Sequence, residues 1–282
     1  MGKKISILGV GNVGASTAFA LTLSGLASQL VLVDINKAKA QGEALDLIQG
    51  TPFSAPVDIY AGEYADTKDS DIVIVALGIA RKPGQSRLDL AQTNVNIVKS
   101  VMPEVVKYAP NAVYVVISNP VDILTYTIIK TTGLPASRVI GSGTMLDTAR
   151  LRTKIAEYVD LNPKNVHAYV YGEHGDSSMI PWSLTSIAGM QMHTYCKSVL
   201  DKEDMFKTTD LAEIENEMRT GGAKVIGLKG ATYYAIAASV HQIVECIFQN
   251  IDTFLTVSSM INGRYGISDV CLSLPFVIGI TV

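Results

Sequence analysis

Short apolar runs alternate with segments of helical character along the first half of the chain. We predict strands at 5–10, 29–34, 71–77 and 112–118, and helices at 15–24, 36–49, 94–108 and 121–131. The strand candidates at 71–77 and 112–118 are apolar at nearly every position, which is typical of strands buried on both faces. Pro103 predicts a bend or a break inside its helix. The alternation of strand and helix continues to about residue 143 and predicts an α/β fold with a doubly wound parallel sheet.

The second half of the chain has a different pattern. We predict helices at 146–159, 211–226 and 233–249, strand and turn at 167–172 and 179–182, and antiparallel strands at 256–270 and 272–277. This mixture is typical of an α+β domain. A length of 282 residues suits two domains, and we expect them to cover residues 1–143 and 144–282.

Composition narrows the class of protein. Hydrophobic residues make up 48% and charged residues 17%, as in a packed globular protein. The net charge of −3 and the lack of a basic stripe argue against nucleic acid as a partner. No apolar run reaches the roughly 18 residues that span a bilayer, and residues 1–4 lead directly into a strand pattern without a signal peptide. The three cysteines lack metal-ligand spacing, so we expect no metal and a cytoplasmic location.

A glycine-rich turn connects the first predicted strand to the first predicted helix. Gly9, Gly11 and Gly14 form the pattern G-x-G-x-x-G, in which the backbone can approach a pyrophosphate at a helix N-terminus. Such a turn can also serve only to pack a helix on a strand. Asp34 ends the second predicted strand 20 residues after Gly14, where a carboxylate can bind ribose hydroxyls and repel a 2′-phosphate. A helix N-cap is the structural alternative for Asp34. Together these features predict a Rossmann domain that binds NAD.

A polar segment at 171–177 carries the candidate acid/base. His174 lies there between glycines and carboxylates, which suits a proton donor and acceptor better than a buried structural histidine. Asp147 and Arg150 are three residues apart and share a helix face. They are either a surface ion pair or a functional pair, in which Asp147 orients an imidazole and Arg150 binds a carboxylate.

A cationic loop follows the third predicted strand. It contains Arg81, Lys82 and Arg87 together with a proline and a glycine. The loop is either solvated or a lid that closes over an anionic substrate and delivers Arg87.

Several motifs together resemble the L-lactate/L-malate dehydrogenase family, from Lys3 to about Gly279, with the strongest similarity to bacterial lactate dehydrogenases of the clostridial type. They are the G-x-G-x-x-G turn, I-S-N-P-V-D-I-L-T-Y at 117–126, G-S-G-T-x-L-D-T-A-R at 141–150, G-E-H-G-D-S at 172–177 and K-G-A-T-Y-Y at 229–234. The resemblance implies an NAD-dependent enzyme of glycolysis and fermentation that interconverts pyruvate and L-lactate.

The resemblance also implies roles for individual residues. His174 exchanges the proton with the substrate, Asp147 raises its proton affinity, Arg150 holds the substrate carboxylate and Arg87 polarises the carbonyl. Asn119 contacts substrate and lies near the nicotinamide ribose, and Thr232 lines the substrate pocket. The positions that correspond to cofactor contacts are Gly9, Gly11, Val13, Gly14, Asp34, Lys39, Tyr64, Gly78, Ser100, Asn119 and Ser142.

A regulatory site is a further implication of the resemblance. Arg152 and His167 match positions that bind fructose 1,6-bisphosphate in allosteric bacterial lactate dehydrogenases, where paired sites at a two-fold interface favour the active homotetramer. The structural alternative is that Arg152 extends the helix pairing and His167 packs at the start of a strand.

Two features depart from the family pattern. Arg81 occupies the position that reads the substrate side chain, where lactate dehydrogenases usually carry Gln and malate dehydrogenases carry Arg. An arginine in a closed site needs a counter-charge, which the second carboxylate of oxaloacetate supplies. Thr232 and the other motifs favour lactate as the substrate. Malate is the alternative, because of Arg81. The chain ends at Val282, so we expect the C-terminal helix usual in the family to be absent.

A catalytically idle NAD-binding scaffold is the non-enzyme alternative.

Overall fold

The computed structural model describes residues 2–79, 87–202 and 205–279. Its strands are β1 (Lys4–Leu8), β2 (Gln29–Val33), β3 (Asp58–Ala61), β4 (Ile72–Val75), β5 (Val113–Val116), β6 (Val139–Gly141), β7 (Val166–His167), β8 (Ser186–Ile187), β9 (Met190–Gln191), β10 (Thr253–Asn262) and β11 (Ser268–Ile278). Its α-helices are α1 (Asn12–Ser24), α2 (Lys37–Gly50), α3 (Arg87–Tyr108), α4 (Val121–Thr132), α5 (Met145–Val159), α6 (Met192–Ser198), α7 (Thr208–Lys229) and α8 (Tyr234–Gln249).

The main sheet has eight strands in the order β11-β10-β6-β5-β4-β1-β2-β3. Strands β1 to β6 are parallel, as the alternation of strand and helix predicts. The strand order reverses between β1 and β4, and this switch point at the carboxyl ends of the strands is where open α/β sheets bind ligands. Strand β10 lies antiparallel to β6, with Ser258 opposite Gly141. The β10–β11 hairpin therefore continues the same sheet.

Apolar layers cover both faces of this sheet. Alternate strand residues such as Ile5 and Ile74 pack with residues of α1, α2 and α8 on one face. On the other face, Val73 and Tyr114 pack with α3 and α4. A third apolar cluster joins α5, α6 and α7 to the small sheet of β7, β8 and β9. The buried strands thus hold a rigid platform, and the loops at its carboxyl edge are free to carry function.

The structure corrects several predicted elements. Helix α3 begins at Arg87 rather than at residue 94, and it continues through Pro103 because the buried Met102 and Val105 hold that turn against the sheet. Strands β3, β6, β8 and β9 and helix α6 are absent from the prediction. The run at 167–172 forms only the end of β7, followed by an isolated bridge between Tyr171 and Met179.

The C-terminal hairpin also differs from its prediction. The two strands meet at a turn around Gly263–Gly266 rather than near residue 271, because both glycines adopt positive φ there. The strands belong to the main sheet rather than to a separate one. Within the described ranges, no helix is both long and apolar enough to cross a membrane.

Candidate active site

The glycine turn after β1 packs too closely for side chains at two of its positions. Gly9 has φ of +90°, and a Cβ atom there would lie 2.5 Å from the carbonyl oxygen of Ala76. A Cβ atom on Gly14 would lie 1.9 Å from the carbonyl oxygen of Gly9. These contacts bring α1 against β1 and set the N-terminus of the helix at the switch point of the sheet.

The third glycine leaves an open cradle at that N-terminus. Gly11 is the N-cap of α1 and provides no side-chain cap, and no described atom lies within 4 Å of a Cβ atom built on it. The first backbone N–H groups of α1 are therefore left for a pyrophosphate.

Asp34 lies directly beside this turn. Its carboxylate accepts hydrogen bonds from the backbone nitrogens of Val10 and Asn36, both at 2.8 Å. Burial and the negative charge of Asp34 raise the pKa of Tyr64. The phenol of Tyr64 therefore lies near the Asp34 carboxylate. A carboxylate held next to a phosphate cradle fits the adenosine ribose of NAD, so the residues present match this cofactor.

Asn94 is a site residue that the sequence analysis missed. It is buried on α3, its Oδ1 accepts from the backbone nitrogen of Ile79 at 3.0 Å, and its Nδ2 donates to the carbonyl oxygen of Asn119 at 2.8 Å. Gly78 has φ of +128° next to this amide. Asn94 thus joins the loops after β4 and β5, and a polar residue on the buried face of a helix was the available signal.

The remaining predicted cofactor positions lie in different environments. Val13 is half-buried in α1, Lys39 is exposed in the first turn of α2, and Ser142 is buried directly after β6. Ser100 is exposed on α3, and its hydroxyl donates to the carbonyl oxygen of Ile97 within the same helix. Ser100 is six residues beyond Asn94, about 9 Å along the helix.

His174, Asp147 and Arg150 form one connected cluster. Asp147 lies in the first turn of α5, and its Oδ2 is 2.6 Å from Nδ1 of His174. The other carboxylate oxygen accepts from Nη1 of Arg150 at 3.0 Å. The side chains of Asp147, Arg150 and His174 are 10%, 21% and 26% exposed. The group is therefore largely shielded from water, which excludes a solvated surface ion pair.

The cluster shifts the pKa values of its acid and its base in opposite directions. Burial alone would lower the pKa of His174, but the hydrogen bond to Asp147 and its negative charge outweigh burial and raise that pKa. Burial alone would raise the pKa of Asp147, but the contacts with His174 and Arg150 lower it below its usual range. The arrangement therefore favours a protonated imidazole beside an ionised carboxylate.

Arg219 on α7 fixes the loop that follows His174. Its Nη1 donates to the carbonyl oxygen of Asp176 at 3.0 Å and to Oγ of Ser178 at 2.7 Å, and its Nη2 donates to the carbonyl oxygen of Ser178. Glu215, one turn earlier, accepts from the same guanidinium at 2.7 Å. Sequence reasoning missed Arg219, because nothing in its own helix marks it as distinct from a surface cation.

Two small residues on α7 leave room for Arg150. A Cβ atom on Gly222 would lie 3.2 Å from Nη2 of Arg150, and Gly221 also faces this side chain. A cavity of about 540 Å³ between α5 and α7 has Arg150 in its wall. Thr232 lies half-buried in the turn between α7 and α8.

Two residues with predicted substrate roles fall at a gap in the described part of the chain. Arg81 lies outside the described residues. Arg87 is the first residue of α3, and its side chain also lies outside the described part of the chain.

The two predicted regulatory residues are neighbours in the structure. Arg152 is half-buried on α5, and its Nε donates to the carbonyl oxygen of Ala168 at 3.0 Å. Its guanidinium carbon lies 5.1 Å from the centre of the Tyr169 ring. His167 is exposed at the end of β7, directly before Ala168. The guanidinium of Arg152 therefore contacts the segment that directly follows His167.

Family models match both halves of the chain. Residues 3–141 match the lactate/malate dehydrogenase NAD-binding domain, and residues 144–281 match the lactate/malate dehydrogenase alpha/beta C-terminal domain. The chain belongs to the lactate/malate dehydrogenase family and is an NAD-dependent dehydrogenase. The expected Rossmann fold and the expected cofactor, NAD, are confirmed.

Several relatives within the family are L-lactate dehydrogenases. The chain is 51% identical to L-lactate dehydrogenase 1 of Clostridium acetobutylicum, with 98% of this chain and 88% of the relative covered. It is also 51% identical to L-lactate dehydrogenase of Clostridium perfringens, with 98% and 86% covered. The crystal structure of minor L-lactate dehydrogenase from Enterococcus mundtii matches with a TM-score of 0.93 and 40% identity, over 98% of this chain and 87% of that one.

Proposed function

We propose that the chain catalyses the reversible reduction of pyruvate to L-lactate. The observation that carries this proposal is the contact of Asp147 with both His174 and Arg150, because one carboxylate then orients the proton donor and the carboxylate-binding group together. The names of the relatives support lactate as the product.

His174 is the acid/base of the proposed reaction. Its Nδ1 is engaged by Asp147, which leaves Nε2 to give a proton to the carbonyl oxygen of pyruvate or to take one from lactate. NADH held at the Gly9–Gly14 turn would supply the hydride, which together with the proton from His174 would complete the alcohol. Asp147 stabilises the imidazolium that must be present before reduction.

The charged groups of the substrate and the transition state have separate proposed partners. Arg150 binds the carboxylate through its guanidinium, which is directed by its bond to Asp147. Arg87 polarises the carbonyl as negative charge develops on oxygen. Asn119 and Thr232 complete the substrate pocket, and Asn94 keeps the backbone of Asn119 in place.

Steady-state kinetics with NADH test the substrate. We expect a higher kcat/KM for pyruvate than for oxaloacetate, and replacement His174→Asn should reduce turnover about 100-fold or more. Arg81 favours malate dehydrogenase as the second candidate, because its charge would pair with the second carboxylate of oxaloacetate. A higher kcat/KM for oxaloacetate, reversed by Arg81→Gln, would establish that alternative.

Fructose 1,6-bisphosphate is the proposed activator. The Tyr169 ring and the Ala168 carbonyl, which directly follow His167 in the chain, hold the guanidinium of Arg152 in one orientation. Such a fixed cation suits a phosphate group. We place paired sites at a two-fold interface of a homotetramer, which sedimentation or light scattering would detect as a change in mass with the sugar bisphosphate.

Replacement Arg152→Gln tests the activator site. We expect the sugar bisphosphate to lower the KM for pyruvate of the wild-type enzyme and to have no effect on this variant. Arg264→Gln is the matched control, because Arg264 also lies over an aromatic ring, at 5.7 Å from that of Phe276. Activation that persists in Arg152→Gln would remove this residue from the site.

The location and the domain division complete the proposal. All three cysteines are buried and unpaired, which supports a reducing compartment such as the cytoplasm. We propose that residues 1–143 bind NAD and that residues 144–282 supply the substrate-binding and proton-transferring groups.

A further inference from the structure

Asp122 places a second carboxylate against the backbone of His174. Helix α4 starts at Val121, and Asp122 lies in its first turn. Its Oδ2 accepts from the backbone nitrogen of His174 at 2.8 Å, and its Oδ1 accepts from Oγ of Ser258 at 2.5 Å. Both oxygens act as acceptors, which is the pattern of an ionised carboxylate.

These contacts are tertiary rather than local. A carboxylate in the first turn of a helix commonly stabilises that helix through its own N–H groups or the helix dipole. Asp122 instead reaches a loop 52 residues away and a strand 136 residues away. Ser258 is fully buried on β10, so its hydroxyl is a fixed donor. Because Ser258 holds one oxygen of Asp122, the hydrogen bond to the other oxygen holds the backbone of His174 in one position.

The same peptide segment also carries Asn119, the proposed substrate contact. The Asn119–Pro120 bond is cis, and only Val121 separates Pro120 from Asp122. Asp122 thus connects the loop that presents Asn119 to the backbone of His174. Arg219 fixes the far side of the His174 loop, so Asp122 supplies the contact on the near side.

We propose that Asp122 is a positioning residue of this site, which fixes the backbone of His174 and adds a second negative charge beside its imidazole. The proposal rests on the proposed role of His174 as the proton donor. It assigns to Asp122 an effect on the reaction that acts through His174, without contact with the substrate.

The charges around His174 come from two helices, α4 and α5. Asp147 and Arg150 face it from α5, and Asp122 faces it from α4; the charges of both carboxylates raise the pKa of His174, while that of Arg150 lowers it. Around Asp122, burial raises the pKa of its carboxyl, and the bonds from Ser258 and from the backbone of His174 oppose this effect.

Two further groups border Asp122. The charge of Glu173 adds to the increase in the pKa of Asp122. On β11, burial and the charge of Asp122 raise the pKa of the Cys271 thiol to about 12, so this thiol is neutral and adds no charge.

Replacement Asp122→Asn separates charge from position. The amide oxygen still accepts from the His174 backbone while the negative charge is lost. We expect the pKa of His174 to fall by about half a unit, measured by NMR titration of the imidazole in the NAD-bound protein. The signal is assigned by its absence in His174→Gln. Asp210→Asn is the matched control, since Asp210 also lies in a first helical turn and accepts a backbone N–H at 3.0 Å.

Replacement Asp122→Ala removes the backbone contact as well. We expect kcat for pyruvate to fall about 10-fold or more, KM for NADH to stay unchanged, and Asp122→Asn to recover most of kcat. An unchanged pKa of His174 in Asp122→Asn would overturn the proposal. Ser258→Ala, which frees the carboxylate at its other end, should lower kcat in the same direction if Asp122→Ala does not fold.

The NMR titration and the kinetic measurements distinguish a failure of this inference from a failure of the proposed function. The NMR titration needs no turnover, so it decides the electrostatic contact even if pyruvate proves not to be the substrate. A wild-type protein without pyruvate reductase activity would refute the proposed function, and a shifted His174 pKa in the same samples would still support the contact.

Discussion

Replacement Asp147→Asn should shift the pH dependence of pyruvate reduction to lower pH. The carboxylate lies 2.6 Å from Nδ1 of His174 and is 10% exposed. A hydrogen bond between charged partners contributes about 1.5–3 kcal/mol, and about 1.4 kcal/mol corresponds to one pKa unit. Loss of this charge should therefore lower the pKa of His174 by about 1–2 units.

The assay is kcat/KM for pyruvate measured across pH. Reduction needs the protonated imidazole, so activity is present below the pKa of His174 and falls as pH rises through it. In Asp147→Asn this fall should begin about 1–2 pH units earlier, and part of the loss should be recovered at acidic pH. A uniform loss at every pH would refute the reasoning, because it would mean that Asp147 does not control the protonation of His174.

The same pair links folding stability to pH. The pKa of His174 is raised from 6.5, so its stabilising contribution is fully present below 6.5 and is lost as pH rises through the folded-state value. The pKa of Asp147 is lowered from 3.8, so its contribution is present above 3.8 and is lost as pH falls through the folded-state value. The difference in Tm between wild type and Asp147→Asn should thus be largest between these limits. A difference in Tm that does not vary with pH would contradict this linkage.

Two further replacements test the platform of the site. Gly14→Ala should abolish NADH binding in a fluorescence titration and lower Tm, because its Cβ atom would lie 1.9 Å from the carbonyl oxygen of Gly9. The control Gly42→Ala, in an open position of α2, should leave NADH binding intact and stabilise the protein by about 0.5–1 kcal/mol. Arg219→Lys should lower kcat about 10-fold, because a lysine cannot reproduce the bonds of the guanidinium to the His174 loop. Wild-type NADH affinity in Gly14→Ala, or wild-type kcat in Arg219→Lys, would show that the corresponding contact is dispensable.

The sequence carries the local part of this fold. Apolar runs predict β1, β2, β4 and β5 because these strands are buried on both faces, and the turn at Gly9–Gly14 is predictable because its requirements lie within six residues. Strands β3 and β6 escape prediction because they are short, and β3 also lies at the edge of the sheet, with Asp58 exposed and Tyr60 only partly covered. The addition of β10 to β6 depends on contacts between distant segments, which no local pattern encodes.

The candidate site divides in the same way. His174 and Asp147 each lie in a distinctive local motif. The family resemblance of these motifs predicts that the two residues form a pair. Asp122, Asn94 and Arg219 act through backbone atoms of loops far along the chain. A side chain that binds backbone leaves no complementary side chain in the sequence, so the structure is needed to find it.

The attachment of the His174 loop to β11 has a consequence for the biosynthesis of the enzyme. Gly172 and Ser273 exchange two backbone hydrogen bonds at 2.8 Å, and the hydroxyl of Ser273 also accepts from the backbone of Thr144, just before α5. Strands β1 to β6 can pair as soon as the first half of the chain has left the ribosome. The proposed acid/base, His174, in contrast, waits for β11, which is translated after the whole nucleotide-binding half, so the nascent protein can acquire its nucleotide fold before the loop of His174 is fixed.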